Sequence, residues 1–433
     1  MKTIKRFFKK FISRDFLIWT HKLRGAVAAA MYNFPAKSMI VIGVTGTAGK
    51  TTTCNLIADI LSKSGKSVAM ATTVNFRIGD KIWPNNTKMT TVSPMALQSF
   101  IAKAVSQKCE YLVLETSSHA IDQYRNWGIS YHTVLFTNLS HEHLDYHHSM
   151  QEYKEVKGRL FANNPETIIV NADDKVSDYF LDFKAKHKIT YGLNKADVSA
   201  KKILSDAKSS LFTLVASDSQ IAIELPLTGK FNIYNAIAAA SVGLSFNISL
   251  NDIKSALEAT GGVSGRMERV DMGQNFEVIV DFAHTPDELQ NVYETLKSVC
   301  RSEMIAVLGS MGERDRTKRP VMGALAGRFA NTVIITNEDP VNEDPIQIIE
   351  EVAKGVPRGA SKDHPMVENK NFFKIVDRRE AIAKAFSLAK ARDIVILTGK
   401  GGEHVMAIGD EKIPWDEVEI VREELKKLLG KTR

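Results

Sequence analysis

From residue 39 onward the chain alternates short aliphatic and β-branched runs with longer amphipathic segments. The short runs end at Gly, Asn or Ser, a pattern typical of strands that are buried on both faces of a parallel sheet. In the first half this pattern predicts strands over 39–44, 111–115, 133–138 and 167–171. It also predicts helices over 50–64, 94–107 and 150–161. Such an alternation indicates an α/β fold.

A second alternation follows the segment Gly-Gly-Val-Ser-Gly, which begins at residue 261. We expect strands over 277–281, 304–308, 332–336 and 394–397, with helices over 286–299 and 320–329, and two more helices before the last strand. Clustered glycines between two such patterns mark a domain boundary. The chain is therefore predicted to contain a central domain with a parallel sheet over 39–264 and a smaller Rossmann-like α/β domain over 265–433.

Composition and charge narrow the class of protein. The net charge is +7 over 433 residues, but residues 1–38 alone carry nine Lys or Arg and one Asp, so the remainder is at −1. Residues after 38 therefore lack the excess of positive charge that is typical of nucleic-acid-binding proteins. Only three cysteines occur and none forms a CxxC pair, which fits a reducing cytoplasm and argues against a cysteine-rich zinc site.

A phosphate-binding loop is predicted between the first strand and the first helix of the central domain. The sequence Gly-Val-Thr-Gly-Thr-Ala-Gly-Lys-Thr-Thr runs from residue 43 to residue 52. Gly46 and Gly49 let backbone N–H groups approach a phosphate, Lys50 supplies a charge for it, and the hydroxyl of Thr51 can bind Mg²⁺. This makes the central domain a P-loop ATPase domain. The alternative is a glycine-rich turn with a solvated lysine.

Two further predicted strands end in polar residues. Glu115 begins the sequence Glu-Thr-Ser-Ser-His, and His143 lies in the sequence Asn-Leu-Ser-His-Glu-His-Leu-Asp-Tyr-His. Ligands of wound sheets bind at the carboxyl ends of the strands, so both side chains should face the phosphate loop. A carboxylate and an imidazole there could bind a second Mg²⁺, although either residue alone could equally lie in an ordinary surface loop.

These motifs together resemble the Mur ligase family, and within it the branch that adds the third residue of the peptidoglycan stem peptide. The resemblance covers residues 39 to about 425. It implies ATP and two Mg²⁺ ions as cofactors, and a UDP-muramoyl-peptide and a free amino acid as substrates. The implied reaction forms an acyl phosphate, which an amine then attacks. The open alternatives are a ligase of the folylpolyglutamate type, one acting on lipid-linked precursors, and a non-catalytic ATP-binding module.

The resemblance also implies a role for individual residues. The residues that it assigns to ATP are Gly46, Thr47, Gly49, Lys50, Thr51, Thr52, Asn235, Arg266, Asp281 and His284. Those that it assigns to metal are Thr51, Glu115, His143 and Lys157. Those that it assigns to catalysis are Lys50, Glu115, His143 and Lys157. Those that it assigns to the substrates are Thr90, Thr91, Ser117, Gln123, Arg125, Glu338, Asp339, Gly399 and Glu403. Lys157 is expected to be a carbamate, whereas the pattern alone indicates a lysine on a helix surface.

The acceptor amino acid should be recognised by the segment Asn337-Glu-Asp-Pro-Val-Asn-Glu-Asp-Pro345 and by Gly399-Lys-Gly-Gly-Glu403. The family's diaminopimelate-adding enzymes have Arg where this chain has Val341. Without that guanidinium a distal carboxylate loses its bidentate partner. Glu338, Asp339 and Glu343 would suit a distal ammonium, so lysine or ornithine is predicted over diaminopimelate.

Residues 1–38 form a basic segment where this branch carries a folded uridine-binding domain, for which the segment is too short. The apolar residues near helical spacing are Ile4, Phe7, Phe8, Phe11, Ile12, Leu17, Ile18 and Trp19. The cations beside them are Lys2, Lys5, Arg6, Lys9, Lys10 and Arg14. One interpretation is peripheral contact with the inner face of the membrane. The other is a helix that docks on the ligase body.

Overall fold

The computed structural model of the chain describes residues 14–206 and 208–430. An eleven-stranded sheet forms the first domain, and a six-stranded sheet forms the second. The strands of the first sheet are β1 Ile40–Thr45, β2 Val68–Ala71, β3 Asn75–Ile78, β4 Lys81–Pro84, β5 Tyr111–Glu115, β6 Thr133–Phe136, β7 Thr167–Asn171, β8 His187–Gly192, β9 Val198–Ser205, β10 Ser210–Ala216 and β11 Ser219–Leu225. The predicted α/β class, with a parallel ATPase sheet followed by a smaller sheet domain, is confirmed.

The centre of the first sheet is parallel and buried. The strand order is β11-β10-β9-β8-β7-β6-β1-β5-β2-β3-β4, and β1 pairs in parallel with both β5 and β6. Every residue of β5, β6 and β7 is buried, as expected for strands covered on both faces. The carboxyl ends of these central strands therefore meet at one edge, where the polar motifs begin.

Both margins of the first sheet are antiparallel, which the sequence pattern did not predict. The strands β9, β10 and β11 form a meander, and β2, β3 and β4 form another. These strands are short or partly exposed, and β11 alternates exposed with covered residues. One face of each meander therefore needs no covering helix, and the strand–helix alternation is interrupted there.

Helices cover both faces of the first sheet. The helices of this domain and of the segment before it are α1 Arg14–Met31, α2 Lys50–Lys63, α3 Pro94–Ser106, α4 Ser118–Asp122, α5 Leu144–His147, α6 Met150–Phe161, α7 Ser177–Leu181, α8 Lys230–Ser245 and α9 Leu250–Glu258. The core on one face contains α2, α8 and α9, while the core on the other contains α3, α6 and α7. The Ala-rich α8 packs closely on α2 and so supports the phosphate loop.

The second domain repeats this layered plan on a smaller scale. Its strands are β12 Glu268–Arg269, β13 Glu277–Val280, β14 Met304–Leu308, β15 Thr332–Ile335, β16 Phe372–Lys374 and β17 Ile394–Leu397, with a separate hairpin of β18 Val405–Ile408 and β19 Glu411–Pro414. Its helices are α10 Pro286–Val299, α11 Lys318–Phe329, α12 Pro345–Ala353, α13 Val356–Gly359, α14 Arg378–Leu388 and α15 Glu417–Gly430. The sheet order is β12-β13-β17-β14-β15-β16. Only β12 is antiparallel to its neighbour.

The N-terminal helix α1 docks on the first domain through small residues. Ala28 and Ala29 are buried. A Cβ atom on Gly25 would lie 2.6 Å from the carbonyl oxygen of Tyr124 and 2.8 Å from Cβ of Trp127. Of the predicted N-terminal segment, residues 1–13 lie outside the described residues. Within the described ranges, no helix is both long and apolar enough to span a membrane.

Candidate active site

The phosphate-binding loop joins the end of β1 to the start of α2. Gly46 and Gly49 have φ angles of 150° and 81°. A Cβ atom on Gly49 would lie 2.3 Å from Oδ1 of Asn235, and one on Gly46 would lie 1.9 Å from Oγ1 of Thr137. Both positions therefore require glycine. The loop presents the N-terminus of α2, where backbone N–H groups and the helix dipole favour a phosphate.

The end of β6 holds this loop in place. The backbone N–H of Thr47 donates to the carbonyl oxygen of Asn138 at 2.8 Å, and the N–H of Ala48 donates to Oδ1 of Asn138 at 2.9 Å. Nζ of Lys50 donates to the carbonyl oxygen of Thr47 at 2.6 Å. The ammonium thus lies over the loop, where a P-loop lysine meets the β- and γ-phosphates.

Glu115 is the last residue of β5 and is only 2% exposed. Its carboxylate accepts a hydrogen bond of 2.9 Å from the hydroxyl of Thr51. It also accepts hydrogen bonds from the backbone N–H and the hydroxyl of Thr73, at 2.7 and 2.9 Å. The structure therefore brings the predicted metal ligands Glu115 and Thr51 together, as a pair of hard oxygen donors of the kind that Mg²⁺ prefers.

Lys157 lies on α6, beside the phosphate loop, and is 1% exposed. Its Nζ donates to the carbonyl oxygen of Gly46 at 2.6 Å and lies 4.2 Å from the centre of the Tyr153 ring. Burial, reinforced by the charge of Lys50, holds the pKa of Lys157 well below its usual range. Lys157 is therefore not the solvated lysine that the helix pattern alone indicates.

His143 precedes α5 in the left-handed conformation, with φ of 56°. Its ring packs edge-on against His119, with 4.7 Å between ring centres, and lies 6.1 Å from the Tyr153 ring. In the described part of the chain, no group of three or more His, Cys, Asp or Glu side chains could hold a metal ion. A Mg²⁺ ion here would thus draw on phosphate and water oxygens as well as Glu115, Thr51 or His143.

Glu142 connects the two domains. Its Oε1 lies 3.4 Å from Nε2 of His284, whose Nδ1 lies 3.3 Å from a carboxylate oxygen of Glu288. Burial by itself would lower the pKa of His284, but these two carboxylates more than offset it, so the pKa is raised. Burial also opposes ionisation of Glu142, yet the charges of His143 and His284 hold its pKa well below the usual range. The predicted nucleotide residue His284 is therefore part of a contact across the cleft.

The residues predicted to contact the muramoyl peptide form a group beside Glu115. The hydroxyl of Thr91 donates to the carbonyl oxygen of Glu115 at 2.9 Å and accepts from the N–H of Ser117 at 3.3 Å. Arg125 donates to the carbonyl oxygen of Thr91 and to Oε1 of Gln123, each at 2.7 Å. The structure therefore joins Thr91, Ser117, Gln123 and Arg125 in one hydrogen-bonded chain.

The residues predicted for the nucleotide come from both domains. Asn235 lies inside α8, where its Oδ1 accepts from the hydroxyl of Thr53 at 3.3 Å. The N-cap of α8 is Gly229. Arg266 reaches across from the second domain, with Nη2 3.5 Å from Oγ1 of Thr51. Its buried Nε has no hydrogen-bond partner among the described residues, so one donor remains for a ligand.

Asp281 supports the segment that carries Arg266. Its carboxylate accepts hydrogen bonds of 2.7 Å from the backbone N–H groups of Met267 and Ala283. Burial raises the pKa of Asp281 to about 6, against the opposing charge of Arg266. Asp281 thus orders the turn that points Arg266 at the phosphate loop.

On the amino-acid side, a buried ion network surrounds Asp339. Its Oδ2 accepts from Lys88 at 2.7 Å and from Lys400 at 3.0 Å. Lys400 also donates to Glu403 at 2.7 Å, and Lys88 lies 3.5 Å from the same carboxylate. Because Lys88 belongs to the first domain, this network also crosses the cleft. The charge on Asp339 is therefore already neutralised.

Glu338 has a different environment from its neighbour. It is 4% exposed, and its Oε2 has no hydrogen-bond partner within the described ranges. Burial raises the pKa of Glu338, although the charge of Arg378 opposes the shift. A Cβ atom on Gly399 would lie 2.2 Å from Oε2 of Glu338, so glycine is needed there. A buried oxygen without a partner is a polar group that a ligand can satisfy.

Glu343 does not face a substrate, contrary to the sequence-based expectation. Its carboxylate accepts hydrogen bonds of 2.8 and 3.1 Å from Arg319, which is fully buried and also binds Glu351 at 2.8 Å. A buried guanidinium needs such partners. Glu343 therefore serves to stabilise the second domain.

Most of the predicted residues line one cavity of about 1190 Å³ between the two domains. Those residues are Thr47, Gly49, Lys50, Thr51, Thr52, Thr90, Glu115, His143, Asn235, Arg266, Asp281, His284, Glu338, Asp339, Gly399 and Glu403. Gly46 is part of the phosphate loop and binds Lys157 through its carbonyl oxygen, but neither residue is among those that line the cavity. The cavity joins a phosphate-binding end to an end with a buried, unpaired carboxylate.

Known families and proteins match this arrangement. The Mur ligase middle domain matches residues 44–243, and the Mur ligase, glutamate ligase domain matches residues 265–401. The UDP-N-acetylmuramoyl-L-alanyl-D-glutamate--2,6-diaminopimelate ligase of Bacillus cereus is 38% identical over 413 residues, which cover 93% of this chain and 82% of that protein. This chain belongs to the Mur ligase family.

Two further comparisons agree. The UDP-N-acetylmuramyl-tripeptide synthetase of Roseiflexus sp. is 37% identical over 419 residues, which cover 93% of this Mur ligase and 81% of that protein. A solved structure of a UDP-N-acetylmuramoyl-L-alanyl-D-glutamate--2,6-diaminopimelate ligase has a TM-score of 0.65 at 32% identity, and the match covers 94% of this chain and 83% of that one. Mur ligases are ATP-dependent ligases that use Mg²⁺, so the predicted family and enzyme class are confirmed.

The residues of this Mur ligase fit those cofactors. The glycine cradle, the free Nε of Arg266 and the pair of Thr51 with Glu115 are donors and acceptors of the right kind for a nucleotide and its Mg²⁺. Sequence reasoning did not single out Glu142, Lys88 or Lys400. Glu142 is next to His143, Lys400 is next to Gly399, and Lys88 lies two residues before Thr90. Nearness to these predicted residues was the only feature of the sequence that could have identified them.

Proposed function

We propose that this Mur ligase adds an amino acid to a UDP-N-acetylmuramoyl-dipeptide in peptidoglycan synthesis. The relatives named above act, by their names, on muramoyl peptides. The observation that supports the proposal most strongly is the cavity between the domains, which has Lys50, Glu115 and Arg266 at one end and Glu338 at the other. Such a site can phosphorylate a carboxylate at one end and position an amine from the other.

The proposed reaction has two steps. An oxygen of the substrate carboxylate attacks the γ-phosphorus of ATP, and ADP leaves. The neutral amine of the acceptor then attacks the acyl carbon, phosphate leaves, and the amine loses a proton. Lys50 and Arg266 stabilise the negative charge on the transferring phosphoryl group, while closure of the domains brings the amine into position. Mg²⁺, held by Thr51, Glu115 and His143, would neutralise phosphate charge.

We further propose that Lys157 is carbamylated. Its buried amine has a lowered pKa, and a neutral amine can attack CO₂ to form a carbamate and release a proton. Carbamylation would replace this neutral amine with an anion that the ammonium of Lys50 can pair with. The anion would help to hold Mg²⁺ on the phosphate side of the site.

For the acceptor, we propose an amino acid with a distal ammonium, such as lysine or ornithine. Asp339 and Glu343 are already paired, which leaves Glu338 as the carboxylate with a free oxygen. Val341 supplies no charge for a distal carboxylate. The diaminopimelate ligases described above have, by their names, a different acceptor. The two acceptors are compatible with one family, because a change at a single position near the acceptor can alter selectivity.

A substrate screen tests the proposed function. The full chain, ATP and Mg²⁺ are combined with UDP-N-acetylmuramoyl-dipeptide and lysine, ornithine or meso-diaminopimelate, and phosphate release and product mass are measured. We expect phosphate release that depends on both substrates and a product larger by one lysine or ornithine residue. Preference for diaminopimelate would refute the acceptor assignment alone. No phosphate release with any muramoyl peptide, but release with folyl or lipid-linked acceptors, would favour those alternatives.

Two parts of the sequence-based interpretation are still predictions at this stage. The domain limits at residues 38 and 264 are predictions, which limited proteolysis would test. Peripheral contact of residues 1–38 with the inner face of the membrane is also a prediction. Such contact requires exposed apolar and basic side chains on the part of that segment that the structure describes.

A further inference from the structure

The helix α1 has two different faces. The face that docks on the first domain consists of small residues, with Gly25, Ala28 and Ala29 buried. The docked face therefore lets the helix backbone approach the loop that contains Tyr124 and Trp127 closely. The large apolar residues Trp19, Leu23, Val27 and Met31 are not used for this contact.

Instead, these large side chains point away from the protein. Trp19 is 59% exposed, Leu23 and Val27 are each 47% exposed, and Met31 is 67% exposed. Steps of four residues keep these side chains on one side of a helix. They form a stripe that runs for roughly 18 Å along α1, at about 1.5 Å per residue. We call these four residues the α1 stripe.

Cations flank the α1 stripe. Lys22 and Arg24 are both exposed, and residues 1–38 carry a net charge of +8 while the rest of the chain is at −1. Positive charge is therefore concentrated on the same segment as the exposed apolar side chains. An apolar stripe with cations at its margins and a tryptophan near one end is the arrangement found in helices that lie in the interface of anionic membranes.

We propose that the α1 stripe docks on the surface of an anionic lipid bilayer. The helix would lie along the membrane, with Trp19, Leu23, Val27 and Met31 below the headgroups and with Lys22 and Arg24 at the level of the phosphates. Because no helix in the described ranges can span a membrane, attachment would be peripheral. This proposal is independent of the ligase reaction.

A second copy of the chain is the competing occupant. Two α1 stripes could pack against each other, but a pair of such helices brings the cations of two +8 segments together. Charge therefore favours an anionic surface over self-association. Sedimentation velocity distinguishes the two, because self-association persists without lipid.

The first experiment is co-sedimentation of the full chain with vesicles of phosphatidylcholine containing phosphatidylglycerol, compared with vesicles of phosphatidylcholine alone. We expect binding to the anionic vesicles that weakens as salt rises. The double variant L23D/V27D should lower the partition coefficient by about tenfold or more, because it replaces two apolar side chains that would be buried in the bilayer with anions. The double variant L204D/V367D makes the same change at exposed positions elsewhere and should bind like the parent.

The second experiment changes charge without touching the apolar residues. The variant K22Q/R24Q should bind about 25-fold more weakly, since each basic residue near an anionic surface contributes about fivefold. This variant also keeps the proposal testable if the aspartates of L23D/V27D impair folding. Ligase turnover with soluble substrates should be unchanged in every variant, so failure of the membrane proposal and failure of the proposed function are separate outcomes.

The third measurement locates the membrane contact. Lipids brominated on the acyl chains should quench part of the tryptophan fluorescence, and W19F should remove that part while the other three tryptophans still emit. Equal partitioning of the parent and L23D/V27D would overturn the proposal. A dimer in solution that L23D/V27D dissociates, with no binding to anionic vesicles, would assign the α1 stripe to a second copy instead.

Discussion

The phosphate side and the amino-acid side of the cleft differ in how their polar groups are held. On the phosphate side, one continuous loop and its neighbouring strand end provide most contacts, as between Thr47, Ala48 and Asn138. On the amino-acid side, Asp339 is held by Lys400 from its own domain and by Lys88 from the other. One side is built largely within one domain, while the other is completed by contact between domains.

This difference separates two kinds of sensitivity. The phosphate loop is held within one domain, so small movements of the domains should not disturb it, whereas an added side-chain atom would collide with its neighbours. The amino-acid side is held by ion pairs, so its properties depend on which carboxylates are paired with a cation and which are not. We therefore expect the largest losses on the phosphate side to affect turnover, and those on the amino-acid side to affect substrate selectivity.

The largest effect is expected for Lys157→Ala. Loss of the proposed carbamate should lower kcat by about 10³-fold, the scale of removing one well-placed charged group from an active site. Acetate or formate should restore part of the activity by filling the space. Lys154→Ala on the same helix is the control and should keep normal turnover. A fully active Lys157→Ala enzyme would sink the carbamate proposal.

A smaller loss is expected for Gly49→Ala. The added Cβ atom would lie 2.3 Å from Oδ1 of Asn235, so kcat/KM for ATP should fall by about 10²-fold. Gly65 provides a matched control, because it also has φ of 81° but a Cβ atom added to it would meet no other atom within 4 Å. Gly65→Ala should cost only about 1 kcal/mol of stability, with normal ATP kinetics. Equal kinetic effects of the two changes would mean that backbone strain, not the contact, matters.

On the amino-acid side, Glu338→Gln should raise KM for lysine. Loss of one charge-assisted contact costs about 1.5–3 kcal/mol, or roughly 10- to 100-fold. KM for ATP should change little. Glu343→Gln is the comparison, and it should reduce thermal stability through Arg319 while leaving acceptor selectivity unchanged. Steady-state kinetics with lysine, ornithine and diaminopimelate would measure both, and an unchanged lysine KM in Glu338→Gln would remove Glu338 from the acceptor site.

The smallest effect concerns the contact between Glu142 and His284. Because the pKa of His284 is raised in this arrangement, the stabilisation is fully present below its ordinary value of about 6.5 and is lost as pH rises through the raised value. The low pKa of Glu142 keeps that carboxylate charged throughout. KM for ATP should therefore rise a few-fold above neutral pH, and His284→Gln should flatten this dependence. An identical pH profile in the variant would show that another group titrates.

Much of the fold could be predicted from local pattern. The segments Tyr111–Glu115, Thr167–Asn171, Met150–Phe161, Pro286–Val299, Met304–Leu308 and Ile394–Leu397 have the predicted type and limits, because a buried strand or an amphipathic helix shows its period in the residues themselves. The antiparallel meanders were missed. Their strands are short or half exposed, and which neighbour they pair with depends on the sheet edge that is available.

The sequence by itself determined the central parallel strands, the helices that follow them, the phosphate loop and the positions of Glu115 and His143 in segments at or after strand ends, since each depends on neighbouring residues. Only the tertiary structure decided the charge environment. Burial lowers the pKa of Lys157 and raises that of Glu338, while Asp339 and Glu343 receive partners that lie far away in sequence. Desolvation and ion pairing depend on distances in space, and no local pattern contains those distances.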